Sequence, residues 1–102
     1  YAQIPYDTDV LLCHGPAYGI LDLVPRGDLT GSRALLQRIN QTFPPLFIHG
    51  HIHGQHGVEV YEPTGTVVVN AAICDDYYKP VFSPVVIDIE YDGLAVEVVS
   101  VL

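Results

Sequence analysis

The chain carries the stretch Phe47-Ile48-His49-Gly50-His51-Ile52-His53-Gly54-Gln55-His56, which places four of its five histidines within eight residues, directly after an apolar run. The fifth histidine, His14, also follows an apolar run and is itself followed by glycine. Neutral imidazole is the commonest protein ligand for metal ions, and glycine lets the backbone approach closely. Two apolar segments that each end in histidine and glycine are therefore typical of a metal site at the end of a sheet.

Length and charge narrow the class of protein. The chain has 102 residues, of which 49% are hydrophobic, enough for one small domain with its own core. Its formal charge is −8, from four basic and twelve acidic residues, which disfavours nucleic acid and anionic membranes as partners. It has neither a recognisable signal peptide nor an apolar run near the length of about 18 residues that a membrane span needs, so we expect no membrane partner and a cytoplasmic location by default.

The first half predicts a βαβ unit. Residues 9–13 form a short apolar run that indicates a strand buried on both faces, and residues 15–31 read as a long loop. Residues 31–42 have helical periodicity, with an apolar stripe, a cap at Thr30 or Ser32 and two prolines after the end. Leu46–His49 is a second strand. The order strand, loop, helix, strand favours an α/β fold with a parallel sheet.

The second half predicts two hairpins. Residues 57–61 alternate, a turn at Pro63-Thr64-Gly65 follows, and residues 66–70 complete the first hairpin. Residues 85–89 and 94–101 flank a second turn at Tyr91-Asp92-Gly93. The loop at residues 71–84 is rich in Asp, Tyr and Pro. The two cysteines, Cys13 and Cys74, follow apolar runs; a disulfide is possible, but free thiols are favoured.

Three histidines are the candidate catalytic and metal-binding residues: His14, His51 and His53. If strands 9–13 and 46–49 are adjacent and parallel, their carboxyl ends lie side by side, and His14 and His51 share one site. The Gly50-His51-Ile52-His53-Gly54 turn lets its two histidines diverge toward two nearby ions.

Three further residues are candidates for supporting roles. Asn70 orients a ligand or caps a turn, and Asp22 either holds an imidazole or is a solvated loop carboxylate. His49 is expected to be a half-buried imidazole bonded to the backbone, and His56 lies at the rim of the site.

The chain resembles the calcineurin-like metallophosphoesterases, in which an isolated ligand histidine is followed by a Gly-His-x-His motif, here His14 and Gly50–His53. The resemblance is closer to the class III phosphodiesterase-like subgroup and extends over nearly the whole chain. It is carried by the segment Leu12-Cys13-His14-Gly15-Pro16-Ala17-Tyr18-Gly19-Ile20-Leu21-Asp22, by Asn70-Ala71-Ala72-Ile73-Cys74, and by Pro80 and Pro84.

The resemblance implies a four-layer α/β/β/α sandwich and hydrolysis of small-molecule phosphomono- or phosphodiesters by a metal-activated water. In it His14 and His51 would bind one divalent ion and His53 the other, the two ions being roughly 3.5–4 Å apart. Mn²⁺, Fe or Zn²⁺ suits such a mixed set of imidazole and carboxylate ligands.

The family's Asp-x-His and Gly-Asn-His motifs are absent from the sequence, and the family's N-terminal Gly-Asp with a later Asp has no counterpart before His14. We therefore expect residues 1–102 to correspond to the C-terminal half of a metallophosphoesterase domain, inactive alone and partnered by the N-terminal half.

Two other interpretations stay open. One is a truncated, non-catalytic module that binds metal or self-associates through an open sheet edge, and the other is a small structural domain with incidental histidines.

Overall fold

The structure is a computed structural model that describes residues 1–90 in full and residues 95–101 by their backbone alone. Within these residues there are six strands, one α-helix and one short 3₁₀ turn at His53–Gln55 that the sequence did not predict. The strands are β1 (Val10–Leu12), β2 (Leu46–His49), β3 (Gly57–Tyr61), β4 (Thr66–Asn70), β5 (Val85–Glu90) and β6 (Ala95–Val101), and the helix α1 (Arg33–Thr42) lies between β1 and β2.

Four of the strands form one mixed sheet in the order β1-β2-β4-β3. β1, β2 and β4 run parallel, whereas β3 is antiparallel to β4. The α/β prediction and its βαβ unit are confirmed, while the four-layer arrangement stays a prediction. The carboxyl ends of the three parallel strands lie side by side. The segments that follow β1 and β2 and the last residue of β4 therefore lie at this carboxyl edge of the sheet.

The core lies between this sheet and α1. Leu11, Phe47 and Val68 are in register across three strands and belong to one buried cluster with Leu35 and Ile39 of the helix. Phe47 and Val68 are completely buried. Burial of such side chains is the main stabilising contribution to a domain of this size.

Helix α1 ends at Thr42, as the sequence predicts, and begins at Arg33, two residues after the predicted start. The Ser32 hydroxyl accepts a hydrogen bond from Leu35 N–H at 3.1 Å, and Phe43 adopts a left-handed conformation that ends the helix before Pro44. The sequence predicts an apolar stripe of Ala34, Leu35, Leu36 and Ile39. The stripe is wrong at Ala34, which is exposed, whereas Thr42 is buried.

Strand β1 is not buried on both faces, contrary to the prediction. It lies at the edge of the four-stranded sheet, and the side chains of Val10 and Leu12 are 37% and 69% exposed, whereas Leu11 between them is buried. Residues two apart point to the same face of a strand, so one face of β1 is open. An apolar run alone cannot distinguish this arrangement from full burial.

The second hairpin consists of β5 and β6, paired antiparallel with an irregularity between Val86 and Ile87. β5 begins as predicted and continues through Glu90, with half-buried and exposed residues in alternation. The predicted turn at Tyr91-Asp92-Gly93 lies outside the described residues. Across the part of the chain that is described, no helix has the length and apolar character needed to cross a membrane.

The loop at residues 15–31 packs closely on itself at Gly31, just before α1, and a substitution there tests this packing. A Cβ atom placed on Gly31 would lie 2.3 Å from the carbonyl carbon and oxygen of Ala17, closer than atoms can approach. We expect Gly31→Ala to lower the free energy of unfolding by about 1–3 kcal/mol, because backbone must move to admit the methyl group. Urea unfolding measures this.

The matched control is Gly15→Ala in the same loop. A Cβ atom there would meet nothing within 4 Å. An equal loss of stability in both variants would contradict the close approach at Gly31.

Candidate metal centre

His14 and His51 come together at the carboxyl edge of the sheet. His14 follows β1, His51 follows β2, and these strands are paired in parallel, so the two loops leave the sheet side by side. His14 Nε2 lies 3.1 Å from His51 Nδ1, and the ring centroids are 4.7 Å apart. Both rings are exposed, and 37 residues of chain separate them.

The distance between these nitrogens fits two ligands of one ion. Nitrogens held by the same ion at about 2.1 Å, with a right or tetrahedral angle between them, lie about 3.0–3.4 Å apart. Without an ion, one ring donates a hydrogen bond to the other. Among the described residues no group of three or more His, Cys, Asp or Glu side chains converges to hold a metal ion, so the pair by itself is not a complete metal site.

His51 has a strained backbone. Its φ of 69° is left-handed, and Ile52 N–H donates a hydrogen bond to Gly50 O at 2.8 Å across it. A bond between residues two apart around a positive φ is the rare, strained form of the γ-turn. Non-glycine residues in this region are uncommon and cluster at functional sites, which supports a role for the His51 side chain.

His53 lies close by but outside the pair. Its Nδ1 is 2.9 Å from the carbonyl oxygen of Asp75, and a carbonyl can only accept, so Nδ1 carries the proton. Nε2 is then free to bind an ion or a proton. Metal-binding histidines usually donate their other N–H to a backbone carbonyl in this way, so His53 has the expected orientation. The structure does not bring it together with His14 and His51 around one point.

His49 is buried on the helix side of the sheet, where the strand pattern places it. Its Nδ1 donates to Gly50 O at 3.0 Å, and its buried Nε2 has no partner. Burial lowers the pKa of His49, although the bond to Gly50 and the Asp22 carboxylate raise it in part. The imidazole is therefore neutral at pH 7, as its position beside Phe47 requires.

Asn70 is fully buried, and both ends of its amide are used. Nδ2 donates to Ile52 O at 2.8 Å, and Oδ1 accepts from Ala72 N–H at 3.1 Å. Asn70 therefore joins the end of β4 to the turn that carries His51 and His53. This contact gives Asn70 a means of orienting the histidine turn, and it also caps the turn that follows β4.

Asp22 is not a solvated loop carboxylate, because it is 1% exposed. One carboxylate oxygen accepts hydrogen bonds from Gly19 N–H at 2.8 Å and Gly31 N–H at 2.9 Å. Asp22 thus closes the loop at residues 15–31 on itself. No sequence signal marked this role, because its two donors are backbone groups 12 residues apart.

His56 was predicted to lie at the rim of the site, and in the structure it is half-buried. Its ring stacks on Phe82 with a centroid distance of 4.9 Å, and Nδ1 donates to Ala72 O at 2.8 Å. Its Nε2 is buried without a partner. His56 fastens the loop at residues 71–84 to the histidine segment, a contact that neither segment shows in its sequence alone.

A shallow cavity of about 500 Å³ lies beside His14 and is lined largely by apolar groups, including Leu12 and Ile48. Cys13 also lines it, and burial raises the pKa of its thiol, so the thiol is protonated at neutral pH. Both cysteines are free, which agrees with the prediction.

Comparison with known proteins gives several relatives, although no family model matches the chain. Metallophosphoesterase domain-containing protein 1 of Homo sapiens is 41% identical over 88 residues, which cover 84% of this chain and 26% of that protein. A UPF0046 protein of Caenorhabditis elegans is 35% identical over 92 residues, covering 85% of this chain and 32% of that protein.

A third relative has a different name. A protein of Emericella nidulans called "Probable rhamnogalacturonate lyase C" is 45% identical over 62 residues, which cover 59% of this chain and 6% of that protein. Because the match covers so little of that protein, its name gives no information about the function of the matched segment. This chain spans about a quarter of the human relative, where it matches 26% of the length. The chain is related to metallophosphoesterase domain-containing proteins.

Proposed function

We propose that this chain supplies the histidine side of the metal centre in a metal-dependent phosphoesterase. The observation that carries the proposal is the pair of imidazole nitrogens, His14 Nε2 and His51 Nδ1, 3.1 Å apart at the carboxyl edge of parallel strands. Ligands in open α/β sheets gather at this edge. The relationship to metallophosphoesterase domain-containing proteins supports the same reaction class.

Each histidine has a role in this proposal. His14 and His51 hold one divalent ion, and His53, oriented by Asp75 O, offers Nε2 to a second. Mn²⁺, Fe or Zn²⁺ at these positions would activate a water molecule and neutralise charge on the phosphoryl oxygens. Asn70 keeps the histidine turn in place through Ile52 O, so that His51 and His53 stay in register with β4.

The proposal extends to the domain as a whole. Residues 1–102 are the C-terminal half of a domain of the class III phosphodiesterase-like subgroup. The N-terminal half supplies the carboxylate and amide ligands that the described residues lack and completes a four-layer sandwich. The substrate is a small-molecule phosphoester, held by charge at the ions rather than by the acidic surface of this chain.

A second candidate is a non-catalytic module that binds metal or self-associates. It is favoured by two observations: the histidine pair has no third ligand among the described residues, and Leu12 on edge strand β1 is 69% exposed. An open strand edge with apolar side chains is a template for pairing with another chain.

Hydrolysis of bis(p-nitrophenyl) phosphate by the protein that contains this chain, loaded with Mn²⁺, tests the proposal. We expect His51→Ala to lower kcat/KM at least about 100-fold, because the ion loses a ligand from the pair. Gln37→Ala, an exposed change on α1, is the control. If hydrolysis persists both in His51→Ala and after removal of the metal, the proposed metal-dependent phosphoesterase is wrong. If the protein binds metal but does not hydrolyse the substrate, the second candidate is favoured.

A further inference from the structure

A cavity of about 330 Å³ opens beside the histidine turn. Three segments of the chain line it: Val24 and Pro25 from the first long loop, His51, Ile52 and His53 from the histidine turn, and Asp76 and Tyr78 from the loop at residues 71–84. Apolar groups and charged or polar groups therefore face the same space. A volume of this size is at the lower end of the range for small-ligand sites.

Tyr78 is held in place by its own backbone. Its φ of 62° is left-handed, an uncommon conformation for a bulky side chain, and its N–H donates to Asp75 O at 3.0 Å. The Asp75 carboxylate accepts from Tyr77 N–H at 2.9 Å and Lys79 N–H at 3.0 Å. Asp75 thus clamps the turn on which Tyr78 sits.

The same clamp sets the distance between Tyr78 and His53. Asp75 O accepts both from Tyr78 N–H and from His53 Nδ1–H, so one carbonyl joins the two residues. Their rings meet edge to face, with centroids 5.2 Å apart and an interplanar angle of 87°. Tyr78 is nevertheless 80% exposed, so most of its ring is available for contact. A strained, tightly bonded turn that presents an open aromatic ring is typical of a ligand contact.

Asp76 places a negative charge in this cavity. A Cβ atom at Gly54 would lie 3.5 Å from Asp76 Oδ2, so the carboxylate lies over the histidine turn. No arginine or lysine lines the cavity. A second anionic group on a ligand would be repelled here, whereas a flat, uncharged ring would find Tyr78, Val24 and Pro25.

We propose that Tyr78 is a specificity-determining residue. Its ring contacts a planar, uncharged organic group that is esterified to the phosphate of the substrate, next to His53. This inference rests on the proposed phosphoesterase function, which places the phosphoryl group at the histidines. It names the chemical class of the substrate: a monoanionic or dianionic phosphoester with one flat, apolar ring that lies against Tyr78 while the phosphoryl group lies at the histidines.

Calorimetric titration of the Mn²⁺-loaded protein with phenyl phosphate and with methyl phosphate tests the inference without relying on turnover. We expect Tyr78→Ala to weaken phenyl phosphate binding roughly three- to tenfold and to leave methyl phosphate binding unchanged, since only the former loses a ring contact. Tyr78→Phe should retain the preference. Tyr77→Ala is the matched control, because Tyr77 is 82% exposed and lies outside the cavity.

Inorganic phosphate separates the two proposals. If inorganic phosphate binds and Tyr78→Ala still prefers phenyl phosphate to methyl phosphate, the proposed contact with Tyr78 is wrong and the proposed phosphoesterase function is retained. If inorganic phosphate does not bind but the binding of phenyl phosphate depends on Tyr78, the contact with Tyr78 is retained and the proposed phosphoesterase function is wrong. Equal weakening of both esters, or binding of neither, overturns the role of Tyr78.

Discussion

His14→Ala should lower the affinity of the chain for Zn²⁺ at least about tenfold, and His51→Ala should do the same. The reason is geometric: two nitrogens 3.1 Å apart can share an ion, whereas either ring alone is an ordinary exposed imidazole. His53→Ala should have a smaller effect, because His53 is bonded to Asp75 O outside the pair. Calorimetric titration with Zn²⁺ at pH 7.5 measures all three affinities.

The control for this experiment is His56→Phe, which removes an imidazole but keeps an aromatic ring against Phe82. Its Zn²⁺ affinity should match that of the unaltered chain. Were His56→Phe to weaken binding as much as His14→Ala, the ion would not be held by the pair. A double variant, His14→Ala with His51→Ala, should lose less binding free energy than the sum of the two single losses if both rings serve one ion.

Asp22→Ala should lower the free energy of unfolding by about 2–4 kcal/mol. Its carboxylate is buried and accepts two backbone hydrogen bonds, from Gly19 and Gly31, so the substitution leaves two donors without partners. Asp22→Asn, which keeps an acceptor oxygen, should lose about half as much. Urea unfolding followed by circular dichroism gives the three free energies.

Asp28→Ala is the matched control, since Asp28 lies in the same loop but is 59% exposed and pairs only with the exposed Arg26. An exposed ion pair contributes about 0–1 kcal/mol, so this variant should unfold close to the unaltered chain. A loss at Asp22 no larger than the loss at Asp28 would contradict the view that Asp22 holds the loop together.

Much of the fold could be predicted from local patterns. The bounds of β2, β3 and β4 agree with the prediction, because apolar runs in β2 and β4, alternation in β3 and the turn residues between β3 and β4 are local signals. The exposure of Leu12 could not be predicted, because an apolar strand at a sheet edge has the same composition as one in the middle. Ala34 was assigned to the wrong face because it is small enough to stand at the boundary of the apolar stripe.

The candidate site divides in the same way. Adjacent parallel strands that are each followed by a histidine predict that His14 and His51 meet, and in the structure His14 Nε2 lies 3.1 Å from His51 Nδ1. The parts that were missed depend on long-range contacts: the ring of His56 on Phe82, and the carbonyl of Asp75 that serves both His53 and Tyr78. Such contacts have no local pattern, since one partner is a backbone group or a residue in a distant loop.

The order of the strands in the sheet has a consequence for how the molecule forms. β3 and β4 are joined by a short turn, and hairpins of this kind close in about 1–10 μs. β1 pairs only with β2 in this sheet, across the long loop and α1, so that pairing requires closure of a much longer segment. We therefore expect the contact between His14 and His51 to form when β1 pairs with β2, after the β3–β4 hairpin has closed. A metal ion bound by both rings would then slow the separation of β1 from the sheet without changing the rate at which that hairpin forms.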